Sequence, residues 1–303
     1  MYTRLLHLGI AVLVSFVAPM ATAVADSYVC GDADASGGVD IDDVVYLLNY
    51  IFAGGPAPDP SVSGDVDASG GVDIDDVVYL MNYIFAGGID PVCQCEPVTD
   101  IDGNVYQTVI IGGQCWMAEN LKVTHYRNGD PIPHVPDNSE WASYPSGAYC
   151  NYWNKESYVA TYGRLYNWYA VDDGRHLAPE GWHVPTDAEW KKLEMYLGMS
   201  QASVDSTTWR GTDEGGKLKE VGTSHWYPPN AGATNESGFT GLPGGQRVSA
   251  GLFISNRYIG YFWSSTEFSS TVSWERALCN ELAQTYRLRS SKNFGYSIRC
   301  VRD

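Results

Sequence analysis

Gly31-Asp-Ala-Asp-Ala-Ser-Gly-Gly-Val-Asp-Ile-Asp-Asp-Val-Val-Tyr-Leu-Leu-Asn-Tyr-Ile-Phe-Ala-Gly-Gly55 occurs twice in this chain. It returns 33 residues later as Gly64 to Gly88, with only Val66 and Met81 changed. In each copy the carboxylates keep the same spacing: Asp32, Asp34, Asp40 and Asp43, then Asp65, Asp67, Asp73 and Asp76. Counted from the first Asp these are positions 1, 3, 9 and 12, with Ser36 or Ser69 at 5 and Gly37 or Gly70 at 6. Position 7 is Gly38 or Gly71, which would contribute its backbone carbonyl. A calcium ion takes six to eight hard oxygens at roughly 2.3–2.6 Å, so a single short loop must wrap around it. Alternate residues then supply near ligands, a glycine allows the sharp turn, and the carboxylate at 12 closes the far side. The sequence therefore predicts two calcium ions, one per loop. Solvated Asp-rich turns are the plain alternative, and the second copy, matching at every ligand position, weighs against it.

Behind each loop stands an apolar run. Val44, Leu47, Leu48 and Ile51 recur at i, i+3, i+4 and i+7, which predicts a helix with one buried face, ended by Ala-Gly-Gly. No comparable helix precedes either loop, and position 12 is Asp where ordinary EF-hands carry Glu. A loop with one exiting helix, repeated, with Asp at 12, resembles a type I dockerin module. The resemblance implies an adaptor that calcium folds and whose helix faces dock a cohesin domain. Cohesin-binding dockerins usually carry small hydroxyl residues at positions 10 and 11; here these are Ile41-Asp42 and Ile74-Asp75. Tyr46, Asn49 and Tyr50, with their copies Tyr79, Asn82 and Tyr83, are the further candidate contacts, and the tyrosines could equally just cover the helix pair.

The formal charge of −17 is unevenly spread. Residues 31–90 hold twelve Asp and no basic residue, and no Lys or Arg occurs between Arg4 and Lys122. This argues against nucleic-acid binding, which needs basic surface to neutralise phosphates. Residues 1–25 read as a secretory leader: Arg4 at the start, an apolar Leu5 to Val17, and Ala23-Val24-Ala25 as a cleavage site. No later stretch is apolar enough to span a membrane. The expected place is secreted, extracellular or attached to the cell surface. There, the seven cysteines (Cys30, Cys93, Cys95, Cys115, Cys150, Cys279 and Cys300) are disulfide candidates rather than redox or metal groups. Cys30 with Cys93 or Cys95 would clasp the module; Cys115 with Cys150 and Cys279 with Cys300 are weaker pairings. Seven is odd, so one thiol stays free or pairs with another chain.

The divisions expected are a leader at 1–25, the module at 26–90, a linker at 91–97 and a larger domain at 98–303. In the last, Asp102-Gly103 signals a hairpin and Val105 to Ile111 a β-rich run. Thr186-Asp-Ala-Glu189 is a capping box for a helix carrying Trp190, Leu193 and Leu197 on one face. Short strands follow, broken by Gly, Asn and Ser, giving an α+β domain with long loops. Val98-Thr-Asp-Ile-Asp-Gly-Asn-Val-Tyr106, Cys115-Trp-Met-Ala-Glu-Asn-Leu-Lys122, Tyr162-Gly-Arg-Leu-Tyr-Asn-Trp-Tyr-Ala170 and Ala178-Pro-Glu-Gly-Trp-His-Val-Pro-Thr-Asp-Ala-Glu-Trp190 resemble the Fibrobacter succinogenes major paralogous domain. So do Thr234-Asn-Glu-Ser-Gly-Phe239, Leu242-Pro-Gly-Gly245, Trp263-Ser-Ser-Thr-Glu267 and Arg299-Cys-Val-Arg-Asp303. This resemblance implies a C-type-lectin-like fold distantly akin to formylglycine-generating enzymes, and no known activity.

The histidines show no metal spacing and no nucleophile elbow is present, so an enzyme is not expected. His183 reads as a packed core residue, and Glu267 with Glu275 as the nearest thing to a glycosidase pair. Lectin-like folds present ligands on loops. Here the candidates are His225, Trp226, Tyr227, Asn235 and Glu236, although the last two could simply hold their loop together. Calcium-binding sugar triplets of the lectins are missing. The expected function is a secreted, non-catalytic calcium-binding protein. It would dock to a partner, or assemble on the cell surface or extracellular matrix, while displaying a lectin-like domain. Its partner would be a cohesin-like or other extracellular protein, a second copy, or a glycan. The alternative is secreted polysaccharide binding or processing by glycoside hydrolysis.

Overall fold

Each acidic repeat folds as a loop running into one helix, α1 at Ile41–Ala53 and α2 at Ile74–Ala86. The computed structural model describes residues 29–59, 61–69, 71–93 and 95–303, and the leader read at 1–25 lies outside them. Both helices start the same way: the carboxylate of Asp40 or Asp73 accepts the backbone N–H two residues on, and Asp43 or Asp76 completes a capping box. Both stop at a left-handed glycine, Gly54 and Gly87, whose N–H returns to the carbonyl of Asn49 or Asn82. Val44, Leu47, Val77 and Leu80 pack between the helices with Ala33, Val66 and Cys93. Leu48 is a correction: it lies outside this buried face and is exposed.

The two repeats lock reciprocally. A β-carbon on Gly31 would meet Leu80 at 3.1 Å, and one on its copy Gly64 would meet Leu47 at 3.0 Å. Each glycine thus lies against the leucine of the other repeat, with a proline, Pro91 or Pro58, closer still. Cys30 bonds to Cys93, with the Cα atoms 5.6 Å apart, and closes the module. Val92 donates to the carbonyl of Val66, so the first part of the expected linker belongs to the module.

The rest of the chain is mixed helix and sheet, an α+β arrangement. Apart from three short two-stranded pairings, its strands are β1 (Thr108–Ile111), β2 (Gln114–Met117), β3 (Trp182–His183), β4 (Thr208–Arg210), β5 (Ile259–Ser269), β6 (Val272–Cys279), β7 (Thr285–Ser291) and β8 (Val301–Arg302). They form two antiparallel sheets, ordered β1-β2-β8-β3 and β5-β6-β7-β4. Pairing β8 beside β2 brings the two ends of the domain together. Between the sheets lie Trp116, Trp190, Phe239 and Phe262, in edge and tilted ring contacts. The capped helix α3 runs from Asp187 to Tyr196, with Thr186 and Glu189 in the expected reciprocal bonds. A buried ionic lattice fixes it to the second sheet. Asp187 pairs with Arg276 and Arg287, and Glu194 with Arg210 and Arg276. Burial opposes ionisation of Asp187, but the hydrogen bonds and charges of Arg287 and Arg276 prevail and hold its carboxyl far below the usual range.

The expected clasp at Cys30 is present, as Cys30–Cys93, but the other cysteine pairings depart from the sequence reading. Cys95 bonds to Cys115, tying the linker to β2, so Cys115 is unavailable to Cys150. Cys150, Cys279 and Cys300 are free thiols, and Cys300 sits in the main core. His183 is also corrected: it is half-exposed, bridging Glu189 at 2.8 Å and Asp303 at 2.6 Å.

Candidate metal centres and loops

Asp32, Asp34 and Asp43 bring one carboxylate oxygen each to within 4.8 Å of one another, and Asp65, Asp67 and Asp76 repeat the arrangement. The loop shapes itself through backbone N–H groups. Asp32 accepts from Ser36 at 2.8 Å and Gly37 at 2.8 Å, and Asp34 accepts from Ser36 at 2.9 Å. In the second loop Asp67 accepts from Ser69 at 2.9 Å. Asp43 and Asp76 are wholly buried yet face other carboxylates. Burial pushes the Asp76 carboxyl up to about 6 and raises that of Asp43 too, with the neighbouring Asp67 and Asp34 charges adding to the rise. A buried carboxylate among like charges is costly unless a cation joins it. Hard oxygen donors only, on a loop with no basic residue, fit a hard divalent cation such as calcium.

The remaining predicted ligands are placed less closely. Asp40 and Asp73 stand outside the clusters as helix caps, accepting from Asp42 and Asp75 at 2.8 Å. The Ser69 hydroxyl donates to the carbonyl of Gly71 at 3.4 Å, while Ser36 and Gly38 are exposed on the first loop. One feature was not legible as chemistry: Asp43 is both the closing carboxylate and the third residue of α1. Its Oδ2 accepts the Asp40 N–H at 2.8 Å, and Asp76 does the same for Asp73. Carboxylate cluster and helix start share a side chain.

Among the predicted docking residues, Ile41, Asp42, Asn49, Ile74, Asp75 and Asn82 are exposed, and Tyr50 and Tyr83 are half-buried. Tyr46 and Tyr79 are spent internally, donating to the carbonyls of Ala57 and Asp90 at 3.2 Å. Sequence reasoning missed the stripe beside them. Val45, Leu48 and Phe52 continue the line of Ile41 along α1, and Val78, Met81 and Phe85 continue that of Ile74 along α2, all exposed. The signal was present as apolar residues in excess of those one buried face needs.

The five loop residues singled out in the larger domain do not form one site. Trp226 is fully buried in the core and donates to the Gly241 carbonyl. Asn235 is used to pin its loop, its Oδ1 accepting from Thr240 at 2.8 Å and its Nδ2 donating to the Thr240 hydroxyl at 3.0 Å. Glu236 is exposed beside it. His225 is held by Glu220 at 2.8 Å. Of the five, Tyr227 faces a cleft, in tilted contact with Tyr258 at 4.6 Å between ring centroids. Glu267 is exposed and paired with Lys292, while Glu275 is buried on β6, so the two carboxylates do not share a cleft.

Residues 109–302 match the model of the Fibrobacter succinogenes major domain. No curated protein and no solved structure gives a match. Among the described residues, no helix is long and apolar enough to cross a membrane.

Proposed function

The chain belongs to the Fibrobacter succinogenes major domain family, and we propose that it is an exported, non-catalytic protein. It docks to an extracellular partner through a calcium-folded, dockerin-like module and displays a C-type-lectin-like domain. The observation that carries this reading is the duplicated carboxylate cluster, each copy closed by a wholly buried Asp that also starts a helix. Asp32, Asp34 and Asp43 would hold one ion and Asp65, Asp67 and Asp76 the other. Each ion would supply the positive charge these carboxylates lack. Because Asp43 and Asp76 serve both loop and helix, ion binding would be coupled to the helix starts. The exposed stripes on α1 and α2 are the faces offered to the partner, a cohesin-like protein or a second copy. Two disulfides agree with an oxidising compartment.

The test is a calorimetric calcium titration of the full chain with helix content followed by circular dichroism. Two ions should bind, Asp43→Ala or Asp76→Ala should each remove one, and the double variant both. Absence of binding at millimolar calcium would end the adaptor reading.

A further inference from the structure

We infer that the larger domain binds a neutral glycan in an aromatic cleft formed by Tyr152, Trp153, Tyr158, Tyr227 and residues 253–258. The inference deepens the displayed-domain part of the proposed function and does not depend on calcium. The cleft encloses about 550 Å³, within the ~300–1,000 Å³ usual for ligand pockets. Its walls are rings left in contact with solvent: Trp153 is 52 % exposed, Tyr258 49 % and Tyr227 40 %. Trp153 is the one tryptophan among the described exposed large side chains; most of the others are core.

Backbone strain collects at the same place. Trp153, Asn154, Ser255 and Arg257 all have positive φ, at 53°, 55°, 66° and 68°. L-residues, bulky ones above all, avoid that region, and such strain gathers where the surroundings hold side chains in a working position. The floor is tight as well. A β-carbon on Gly245 would come within 2.7 Å of Tyr152 and of the backbone at Ile254 and Asn256, and the Tyr152 hydroxyl accepts the Asn256 N–H at 3.3 Å.

Charge selects the ligand class. No carboxylate lines the cleft, so it offers a cationic ligand no counter-charge, and two of its rings already carry the protein's own cations. Its one lining cation, Arg257, lies 4.7 Å over the Tyr227 ring, and its Nε donates to the carbonyl of His225 at 3.1 Å. Lys155, nearby, sits 5.5 Å over the Trp153 ring. Arg257 is held by backbone carbonyls and both cations lie against rings, so the walls of the cleft are led by aromatic faces. What remains is flat aromatic faces rimmed by tyrosine hydroxyls, Ser255 and Asn256. A pyranose whose hydroxyls are equatorial matches this: its axial C–H groups make a flat apolar face for a ring, and its hydroxyl rim meets the polar edge.

The experiment is calorimetry and tryptophan fluorescence on the full chain with cellohexaose and xylohexaose, and with decaproline as a peptide that also stacks on aromatics. Saturable binding of at least one hexasaccharide is expected. Trp153→Ala and Tyr227→Ala should each weaken it about tenfold, while Trp153→Phe keeps most of the affinity and all variants melt like the parent. Failure of both hexasaccharides to bind, affinity unchanged in both alanine variants, or decaproline binding with the same losses overturns the inference. Calcium titration of the same samples separates the two readings: ions bound without glycan sink the cleft alone, and glycan bound without ions sinks the adaptor alone.

Discussion

Asp43 and Asp76 show how far a local pattern reaches. Ligands of an ion-binding loop lie within twelve residues, so their spacing survives in the sequence and the clusters were legible there. The shared role in helix capping was hidden, because it depends on which backbone N–H groups the same carboxylate meets. Raised carboxyl values in these loops set a direction: protons compete with the ion, so calcium affinity should fall as pH drops through about 6, the value at Asp76. A titration series from pH 7.5 to pH 5 checks this. Glu275 poses a separate test. Burial pushes its carboxyl from 4.5 up to about 8, with Oε2 meeting no partner. A value raised in the folded state contributes stability below the unfolded value, and that contribution is lost as pH rises through 8. The melting temperature of the parent should therefore decline between pH 7 and pH 9, and that of Glu275→Gln should stay flatter. Trp226 was misassigned for a plain reason: a tryptophan beside a tyrosine looks alike in core and rim, and only long-range packing separates them.

Helices were the most legible elements. Caps, apolar periodicity and terminal glycines sit within one stretch of chain, and α1, α2 and α3 start where their capping residues stand. Which apolar residue faces inward was less clear. Val44, Leu47, Leu48 and Ile51 fit one face by spacing, yet Leu48 falls on the outer stripe because two helices packed side by side bury a narrower band than the spacing alone suggests. Reciprocal packing of Leu47 on Gly64 and Leu80 on Gly31 gives a symmetrical prediction. Leu47→Ala and Leu80→Ala should each cost the module about 2–5 kcal/mol, by nearly equal amounts, measured by denaturant unfolding. The outer stripe predicts the opposite pattern. Val45→Asp with Val78→Asp should leave calcium binding intact and abolish partner association or self-association, read by sedimentation.

At the scale of the molecule the sequence said least. Sheet order and disulfide pairing join residues far apart, and neither spacing nor composition encodes which strand lies beside which. The Cys115–Cys150 and Cys279–Cys300 pairings fail for that reason: Cys115 is on β2 facing the linker, and Cys150 and Cys300 lie in separate core clusters. Burial pushes the Cys150 thiol up to about 12 and raises that of Cys300 still further. Cys279 alone among the free thiols is only partly buried. A thiol reagent should thus modify one cysteine in the native protein and three after unfolding without reductant, read by absorbance and mass.

The Cys95–Cys115 bond also decides how a pull would travel. If the module is held by one partner and the larger domain by another, tension leaving the module at Cys93 reaches the next cysteine two residues on and crosses to β2. The hairpin and β1 between them, within a sequence separation of 20 residues, are short-circuited and carry no strain. Force enters the domain on an inner strand, flanked by β1, to which it is paired over four residues, and by β8, which it meets at Val301. Reducing that one bond would reroute the pull through residues 96–114, so the oxidised molecule is the shorter tether and the reduced one has that length of chain in the line of tension.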